Sequence, residues 1–500
     1  MSMPKPLTEV TENSWEYLSL PMITPTGFRE YDARWKYPDQ INLVGFQAVG
    51  LSLATQMREM DVEPVIAVGA DYRSYSLAIK QALIVGLMAG GARVKDIGPA
   101  LSPMAYFSQF DLDCPAVAMV TASHNPNGWA GVKIGFDRPL THGPAEMGRL
   151  KEIVMEGLGV ERDGGSYERV EGVRERYIDD LVGDFRMSRP LKVVCAAGNG
   201  TAGAFGPEVL SRLGCEVVPL HCELDYTFPN YNANPEAMEM LHDMARAVKE
   251  SGADLALGFD GDGDRCGVVD DEGEEIFADK VGVMLARDLI KLHPGATFVA
   301  DVKSTGLFAS DPALIEGGAK ADYWMTGHSH MKRRVKELGA LAGFEKSGHY
   351  FLAEPIGRGY DCGMRVAVEV CKMLDRNPGK SMSDLRKALP KTYSSPTMGA
   401  FCPDEQKYDT IKELVATLSG MAETGESLGG RKIEKVVTVN GARVLLEGGA
   451  WALVRASSNE PKLVVVCESP TSDAELRAVF EGLDAVVHAR PEVGAYDQTF

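Results

Sequence analysis

The sequence predicts three related α/β domains followed by a C-terminal α+β domain. Three observations carry this expectation. The chain has 500 residues, which at about 150 residues per domain amounts to three or four domains. Three segments share one order of apolar strand, polar or glycine-bearing loop, helix and second strand. After Pro390 that order gives way to short strands at hairpin spacing, flanked by two helices.

The first segment runs from Val65-Ile66-Ala67-Val68 through the loop Gly69 to Ser74 into a helix from about Ser76, and returns at Ala92-Arg93-Val94. The second starts at Val193-Val194-Cys195, turns at Gly198-Asn199-Gly200-Thr201 and returns at Cys215 to Val218. The third starts at Phe298-Val299-Ala300, turns at Lys303-Ser304-Thr305-Gly306 and returns near Tyr323-Trp324. Parallel strands need such helical crossovers, so each segment reads as a βαβ unit. The polar loops then fall beyond the carboxyl ends of strands, where open α/β sheets bind ligands. In the last region a helix is expected around Tyr408 to Leu418, strands at Val436 to Val439 and Leu463 to Val466, and a terminal helix over Ser472 to Leu483. Linkers near Asp163 to Ser166, Asp271 to Glu274 and Leu389 to Lys391 divide the chain into domains 1–167, 168–274, 275–390 and 391–500.

Hydrophobic residues make up 45% and charged residues 25% of the chain, the balance of a soluble globular protein. No stretch approaches the roughly 18 uninterrupted apolar residues of a membrane span. No apolar core of a secretory signal is read in the first residues. The nine cysteines are scattered without a C-x-x-C pair, which fits reduced thiols and a cytoplasmic location. A net charge of −19 excludes nucleic acid as a partner, since a polyanion needs a basic face. It leaves room for a small phosphorylated substrate, because a cleft can be locally positive. Neither a membrane nor an obligate protein partner is expected.

Four loops carry chemistry. In Asp260-Gly261-Asp262-Gly263-Asp264-Arg265 three carboxylates on alternate residues, with glycines between, can converge on one hard divalent cation. A calcium loop would need glycine and glutamate where Arg265 and Asp271 stand. In Thr121-Ala122-Ser123-His124-Asn125-Pro126-Asn127-Gly128 a tight turn presents Ser123 at a strand end as a nucleophile or phosphoryl carrier. No G-x-S-x-G elbow surrounds it, so acyl transfer is not indicated. His124 is a poor triad base if the two side chains diverge as on a strand, but is placed to contact a phosphate. Lys133 follows as a phosphate contact or proton shuttle. In Gly343-Phe344-Glu345-Lys346-Ser347-Gly348-His349, Glu345 and Ser347 are two apart and suit a grip on neighbouring sugar hydroxyls. Gly327-His328-Ser329-His330 with His349 offers imidazoles for zinc, but no cysteine motif or HExxH accompanies them. In Arg455-Ala456-Ser457-Ser458-Asn459-Glu460-Pro461 the arginine fork and the turn's hydroxyls and amides suit a phosphate.

Together and in this order, the loops resemble those of the α-D-phosphohexomutase superfamily, most closely its bacterial phosphomannomutase/phosphoglucomutase branch. The resemblance spans Gly27 to Pro461. It implies four domains in a heart shape around a central cleft, three of them α/β with mixed sheets. It implies interconversion of hexose 1-phosphate and hexose 6-phosphate, of mannose and/or glucose, through phosphoserine and a hexose 1,6-bisphosphate. Ser123 would carry the phosphoryl group, with Mg²⁺ between its phosphate and Asp260, Asp262 and Asp264. Arg265 would neutralise the moving phosphoryl group. Lys133, His349 and Arg34 are candidates for proton transfer or phosphoryl stabilisation, and His124 sits beside the nucleophile. Glu345 and Ser347 would hold O3 and O4, with Gly327 and His328 also on the substrate. Tyr31, Lys303, Arg455, Ser457, Ser458 and Asn459 would bind the phosphate not being transferred. Mannose and glucose phosphates share O3 and O4 stereochemistry, so dual specificity is the expectation. The chain departs from the family pattern where Trp35 and Phe344 replace glycines, where Ala130-Gly131 precedes Lys133, and at Ser458-Asn459. The rival within the family is phosphoglucosamine mutase, whose R-P-S-G-T loop Ala456 and Ser458 do not match. From other classes, D-x-D-G at Asp260 also fits a sugar phosphatase with an aspartate nucleophile, and a phosphosugar-binding protein without turnover is the remaining alternative.

Overall fold

The computed structural model of the chain describes residues 4–458 and 460–500. Six strands build the first sheet: β1 (Ala33–Lys36), β2 (Val65–Ala70), β3 (Arg93–Pro99), β4 (Ala116–Val120), β5 (Trp129–Gly135) and β6 (Ser166–Arg169). Their order is β1-β5-β4-β2-β3-β6. β2 and β4 are buried at every residue, as strands covered on both faces must be. β2 pairs in parallel with β3 and β4, with helix Ser76–Ala89 as the crossover to β3. β5 turns back antiparallel against β4 and β1, so the sheet is mixed.

The second sheet has β7 (Lys192–Ala196), β8 (Glu216–Leu220), β9 (Leu255–Phe259), β10 (Cys266–Asp270) and β11 (Glu275–Ile276), in the order β11-β10-β9-β7-β8. β7 is parallel to β8 and β9, and β10 returns antiparallel along β9. The serine loop leaves the carboxyl end of β4, and the aspartate loop that of β9.

Cα packing divides the chain into two compact units, residues 1–278 with 347–384, and residues 279–346 with 385–500. The first holds both sheets just described. In the second, β12 (Thr297–Asp301) lies between β13 (Lys320–Trp324) and β14 (Ala342–Phe344), all parallel. A separate antiparallel sheet is built on Arg431–Val437, Ala442–Leu446, Trp451–Ala456 and Lys462–Ser469, paired in that order. Helices Lys407–Thr424 and Asp473–Val487 cover one face, where Leu414, Leu418, Leu476 and Leu483 meet Val444, Val454 and Val465. Residues of opposite parity on the same strands, Leu453, Val464 and Val466, bury the other face against Val302. Among the described residues no helix is long and apolar enough to cross a membrane.

Two sequence expectations are corrected. Ser166, expected in a linker, begins β6, which pairs in parallel with β3 and carries the first sheet past residue 167. Asp271 to Glu274 is a hairpin turn, because Asp270 N–H donates to Glu274 O and β11 pairs back on β10. Residues 347–384 group with the first unit.

The two aromatic departures are absorbed by packing. Trp35 is fully buried, donates its indole N–H to Thr24 O at 2.8 Å, and meets Phe28 and Phe46 edge to face. Room for its ring comes from Gly27, where a Cβ would stand 1.9 Å from Trp35 Nε1. Phe344 stacks on Phe308 in the second unit, over Gly282, whose Cβ would stand 2.9 Å from the Phe344 ring. Both rings are accommodated by a glycine elsewhere in the chain.

One buried acid stands out in the second unit. Glu468 accepts from Lys280 Nζ at 2.9 Å, Trp451 Nε1 at 3.0 Å and Gly306 N–H at 2.7 Å. Burial raises its carboxyl, but Lys280 and the N–H donors outweigh burial and hold it at about 2.

Gly27→Ala is expected to destabilise the first unit by about 1–3 kcal/mol through overpacking against Trp35, measurable by urea denaturation. The depressed Glu468 value also predicts a pH dependence. Its unfolded carboxyl, with the ordinary value 4.5, takes up a proton before the folded one. Its stabilisation is therefore complete above about pH 5 and is lost as pH falls toward 2. Urea titrations of the parent and Glu468→Gln should give curves that converge on acidification. A gap that stays constant from about pH 6 to about pH 3 would contradict this.

Candidate active site

Asp260, Asp262 and Asp264 follow β9 and are fully buried, each placing one carboxylate oxygen within 4.8 Å of the others. The glycine between the first two permits a close approach, since a Cβ on Gly261 would stand 2.6 Å from the Ser123 carbonyl oxygen. Three buried like charges need compensation. Lys133 on β5 supplies part of it, its Nζ meeting Asp262 Oδ2 at 2.7 Å and also Asp264 Oδ2. Ser102 Oγ donates to Asp262 Oδ2 at 2.5 Å, and Thr121 Oγ1 lies 3.2 Å from the same oxygen. Burial, then Asp264 and Asp262, push the Asp260 carboxyl well above its ordinary value. Burial acts the same way on Asp262, but Lys133 outweighs it and holds that carboxyl low. Asp262 Oδ1 and Asp264 Oδ1 are buried and accept no hydrogen bond. Three converging carboxylates with acceptor oxygens to spare fit a hard divalent cation.

Ser123 lies beside this cluster, buried, with Oγ 3.3 Å from Asp260 Oδ2. Its φ of +53° is the left-handed conformation that a non-glycine residue adopts at a cost. The expectation that His124 diverges from Ser123 is corrected by that backbone. The chain is not extended there, and Ser123 Oγ stands 3.1 Å from His124 Nδ1. Burial, then the charges of Arg265 and Arg34, hold His124 well below the usual imidazole range, so its ring is neutral.

The turn is held from outside. Arg73 donates to the carbonyls of Ser123 at 2.9 Å and Asn125 at 2.6 Å, and is ion-paired with Asp71. Asp71 also accepts from Thr121 Oγ1 at 2.9 Å, and Thr121 Oγ1 accepts the Ser123 N–H at 2.9 Å. Arg34 on β1, fixed by Asp32, donates to Asn125 Oδ1 at 2.5 Å. Contacts between the loops of the two sheets complete the seam, with Tyr72 N–H on Thr201 Oγ1 at 3.1 Å and Ser102 N–H on Asp262 O at 3.0 Å.

Arg265 closes the cluster on another side. Its N–H reaches Asp260 Oδ1 at 3.2 Å, its Nη1 Glu236 at 2.8 Å, and its Nε donates to His349 Nε2 at 2.9 Å. His349 Nδ1 stands 3.1 Å from Asp361 Oδ2 and 3.6 Å from Asp264 Oδ1. Of the sequence candidates, Ser123, His124, Lys133, Arg34, Arg265, His349 and the three aspartates are thus brought together. Tyr31 is in the first unit, half-buried in the turn before β1.

The other candidates belong to the second unit, apart from Ser347, which opens the 347–384 segment of the first. Lys303 follows β12, with Nζ 3.9 Å from Asp301 Oδ2. Glu345 is buried and accepts the Gly327 N–H at 2.5 Å, where Gly327 caps the helix His328–Leu338 with His328 as its first residue. Arg455 donates to Ala456 O at 2.8 Å, and Ser457 Oγ accepts from Glu460 N–H at 3.2 Å, in the turn that also carries Ser458. Asn459 lies outside the described residues. Asp71, Arg73, Ser102 and Asp361 were not singled out from sequence. The loop holding Asp71 and Arg73 had been placed at a strand's carboxyl end, and that position was the available signal.

Comparison with known proteins adds a second line of observation. The four family models described as phosphoglucomutase/phosphomannomutase alpha/beta/alpha domains I, II and III and C-terminal domain match residues 25–157, 175–273, 277–393 and 401–486. A phosphomannomutase/phosphoglucomutase of Pseudomonas putida is 34% identical over 452 residues, 90% of this chain and 93% of that one. A phosphoglucomutase of Neisseria gonorrhoeae is 31% identical over 473 residues, 94% of this chain and 98% of that one. The crystal structure of a phosphoglucomutase/phosphomannomutase family protein from Burkholderia thailandensis superposes with a TM-score of 0.86 at 29% identity, covering 95% of this chain and all of that one.

Arg73→Met leaves Asp71 uncompensated and two loop carbonyls without their donor. It is expected to cost about 3–5 kcal/mol, and Arg73→Lys less, both measurable by urea denaturation followed by tryptophan fluorescence.

Proposed function

The chain belongs to the phosphoglucomutase/phosphomannomutase family, and on that premise we propose that Ser123 carries the phosphoryl group by which it interconverts hexose 1-phosphate and hexose 6-phosphate. One observation carries the assignment. Ser123 is a buried hydroxyl on a left-handed turn, 3.3 Å from Asp260 within a cluster of three buried carboxylates. An acyl-transfer serine needs a base and an oxyanion site. A serine among converging carboxylates suits a phosphoryl group shared with a divalent cation.

Phosphoryl transfer passes through a loose transition state, so positioning and charge neutralisation supply most of the catalysis. In the first half-reaction the bond from phosphorus to Ser123 Oγ breaks as one forms to the free O6 or O1 of the substrate. The hydroxyl proton passes to a base, for which His349 is the candidate, and is returned to the departing oxygen, while Lys133 and Arg34, cations paired with Asp262, Asp264 and Asp32, stabilise the phosphoryl group. The hexose 1,6-bisphosphate turns over, its other phosphoryl group moves to Ser123 Oγ, and the product leaves with one phosphate. Asp260, Asp262 and Asp264, with an oxygen of the serine phosphate, would hold Mg²⁺, which when bound neutralises the oxygens of that group. Arg265 adds a fixed cation to the same cluster. Glu345 and Ser347 hold O3 and O4, Gly327 and His328 touch the sugar, and Tyr31, Lys303, Arg455, Ser457, Ser458 and Asn459 take the other phosphate. O2, where mannose and glucose differ, has no partner in this assignment, which supports use of both sugars.

A ³¹P NMR time course with Mg²⁺ and a trace of hexose 1,6-bisphosphate tests the reading, with mannose 1-phosphate and glucose 1-phosphate offered separately. Both should convert to 6-phosphates. Ser123→Ala should lose turnover by about 10³-fold or more with its fold intact. In the parent, acid-stable phosphate should map to Ser123 by mass spectrometry. Release of free phosphate through a hydroxylamine-labile acyl phosphate would instead establish the aspartate phosphatase.

A further inference from the structure

The main chain around Lys303 is held almost group by group, and the holding residues lie both on the α/β part and on the antiparallel sheet of the second unit. Arg443, on the strand Ala442–Leu446, is buried at 1% exposure and donates from one nitrogen to Val302 O at 2.6 Å and Ser304 O at 2.7 Å. Those two carbonyls flank Lys303. Its guanidinium is clamped between the rings of Tyr323, at 4.1 Å, and Trp451, at 3.7 Å. Glu468 grips the next residues, accepting Gly306 N–H at 2.7 Å and Thr305 Oγ1 at 3.0 Å. Asp279 accepts Thr305 N–H at 2.8 Å and Tyr323 O–H donates to Thr305 O at 2.7 Å. The backbone from 302 to 306 is thus anchored, while Lys303 Nζ stands beyond hydrogen-bond distance of Asp301, at 3.9 Å.

A lone core charge would be expected to pair with an opposite charge. Arg443 instead places one guanidinium nitrogen on the two carbonyls either side of one lysine, and Glu468 takes the Gly306 amide. We propose that Arg443 and Glu468 are positioning residues for the sugar phosphate that is not transferred, acting through Lys303 by fixing the main chain that presents its ammonium. This rests on the reading of Lys303 as a contact of that phosphate. An interaction made equally in ground and transition states appears mainly in KM. Slackening the loop should therefore weaken substrate binding more than it slows turnover.

The test is a double-mutant cycle on the Mg²⁺-activated full chain with glucose 1-phosphate, reading KM and kcat separately. Arg443→Lys keeps the charge but loses the planar guanidinium held between Tyr323 and Trp451, and with it the placement of the nitrogen on the two carbonyls. Glu468→Gln keeps shape and one acceptor oxygen, and serves if the first variant does not fold. Lys303→Met, Arg443→Lys and Glu468→Gln should each raise KM by about fivefold or more, with kcat changed by less than about threefold. Combining Lys303→Met with either second change should raise KM no further than about twofold beyond Lys303→Met alone, because the effect is exerted through Lys303. The proposal is overturned if Lys303→Met raises KM while both other variants leave it at the parent value, whatever their melting temperatures. It is overturned equally if the combined effects multiply. An unchanged KM in Lys303→Met would remove the phosphate reading of that residue, and the proposal with it.

Discussion

Placing three carboxylates in a dry interior governs much of the first unit. At the separation of Asp260, Asp262 and Asp264 mutual repulsion is severe unless cations and donors surround them. The neighbouring elements can be understood as the response. β5 delivers Lys133, the helix Ser102–Asp111 starts with Ser102 on Asp262, and β10 opens just after Arg265. Because these come from both sheets of the unit, charge compensation also aligns the loops of one sheet with those of the other. The serine turn is pressed against the aspartate loop so closely that only glycine fits at 261.

That constraint also explains the backbone of Ser123. A left-handed serine persists only where its surroundings over-determine it. Here Arg73 holds the carbonyls of residues 123 and 125, Thr121 holds the amide of 123, and Arg34 holds the Asn125 side chain. The turn aims Oγ at Asp260 and brings His124 to the same side, an outcome that alternation along an extended strand excludes. A hydroxyl held this way loses little entropy on reaching a fixed geometry, which is what the proposed phosphoryl transfer through Ser123 needs.

What could be read from sequence follows the range of the interactions involved. The βαβ order and the hairpin region are local patterns of period, glycine and charge, although the strand expected over Val436 to Val439 runs instead over Arg431–Val437, with Thr438 and Val439 in the turn that follows. The mixed sheets and the roles of the loop residues entered through the resemblance. Arg73, Ser102 and Asp361 were not legible, because each gains its meaning from partners far along the chain, with Ser102 and Asp262 separated by 160 positions. Ser166 read as linker because β6 is an exposed edge strand with no apolar alternation, defined only by its pairing to β3. The 347–384 segment groups with the first unit through contacts no local pattern shows, such as those of His349, Asp361 and Cys362 with Asp264, Arg265 and Tyr177.

The aromatic departures show how far a functional loop tolerates change beside it. Trp35 and Phe344 adjoin residues assigned to substrate chemistry, Arg34 and Glu345, yet their rings go into cores. On a strand, neighbouring side chains leave on opposite faces. A bulky residue next to a functional one therefore loads the core, not the site, provided the core yields volume. Gly27 and Gly282 yield it. The same alternation sets Arg443 toward Val302 and Ser304 while Val444 faces the helix-covered core. One strand thereby stabilises the domain with one face and fixes a distant loop with the other.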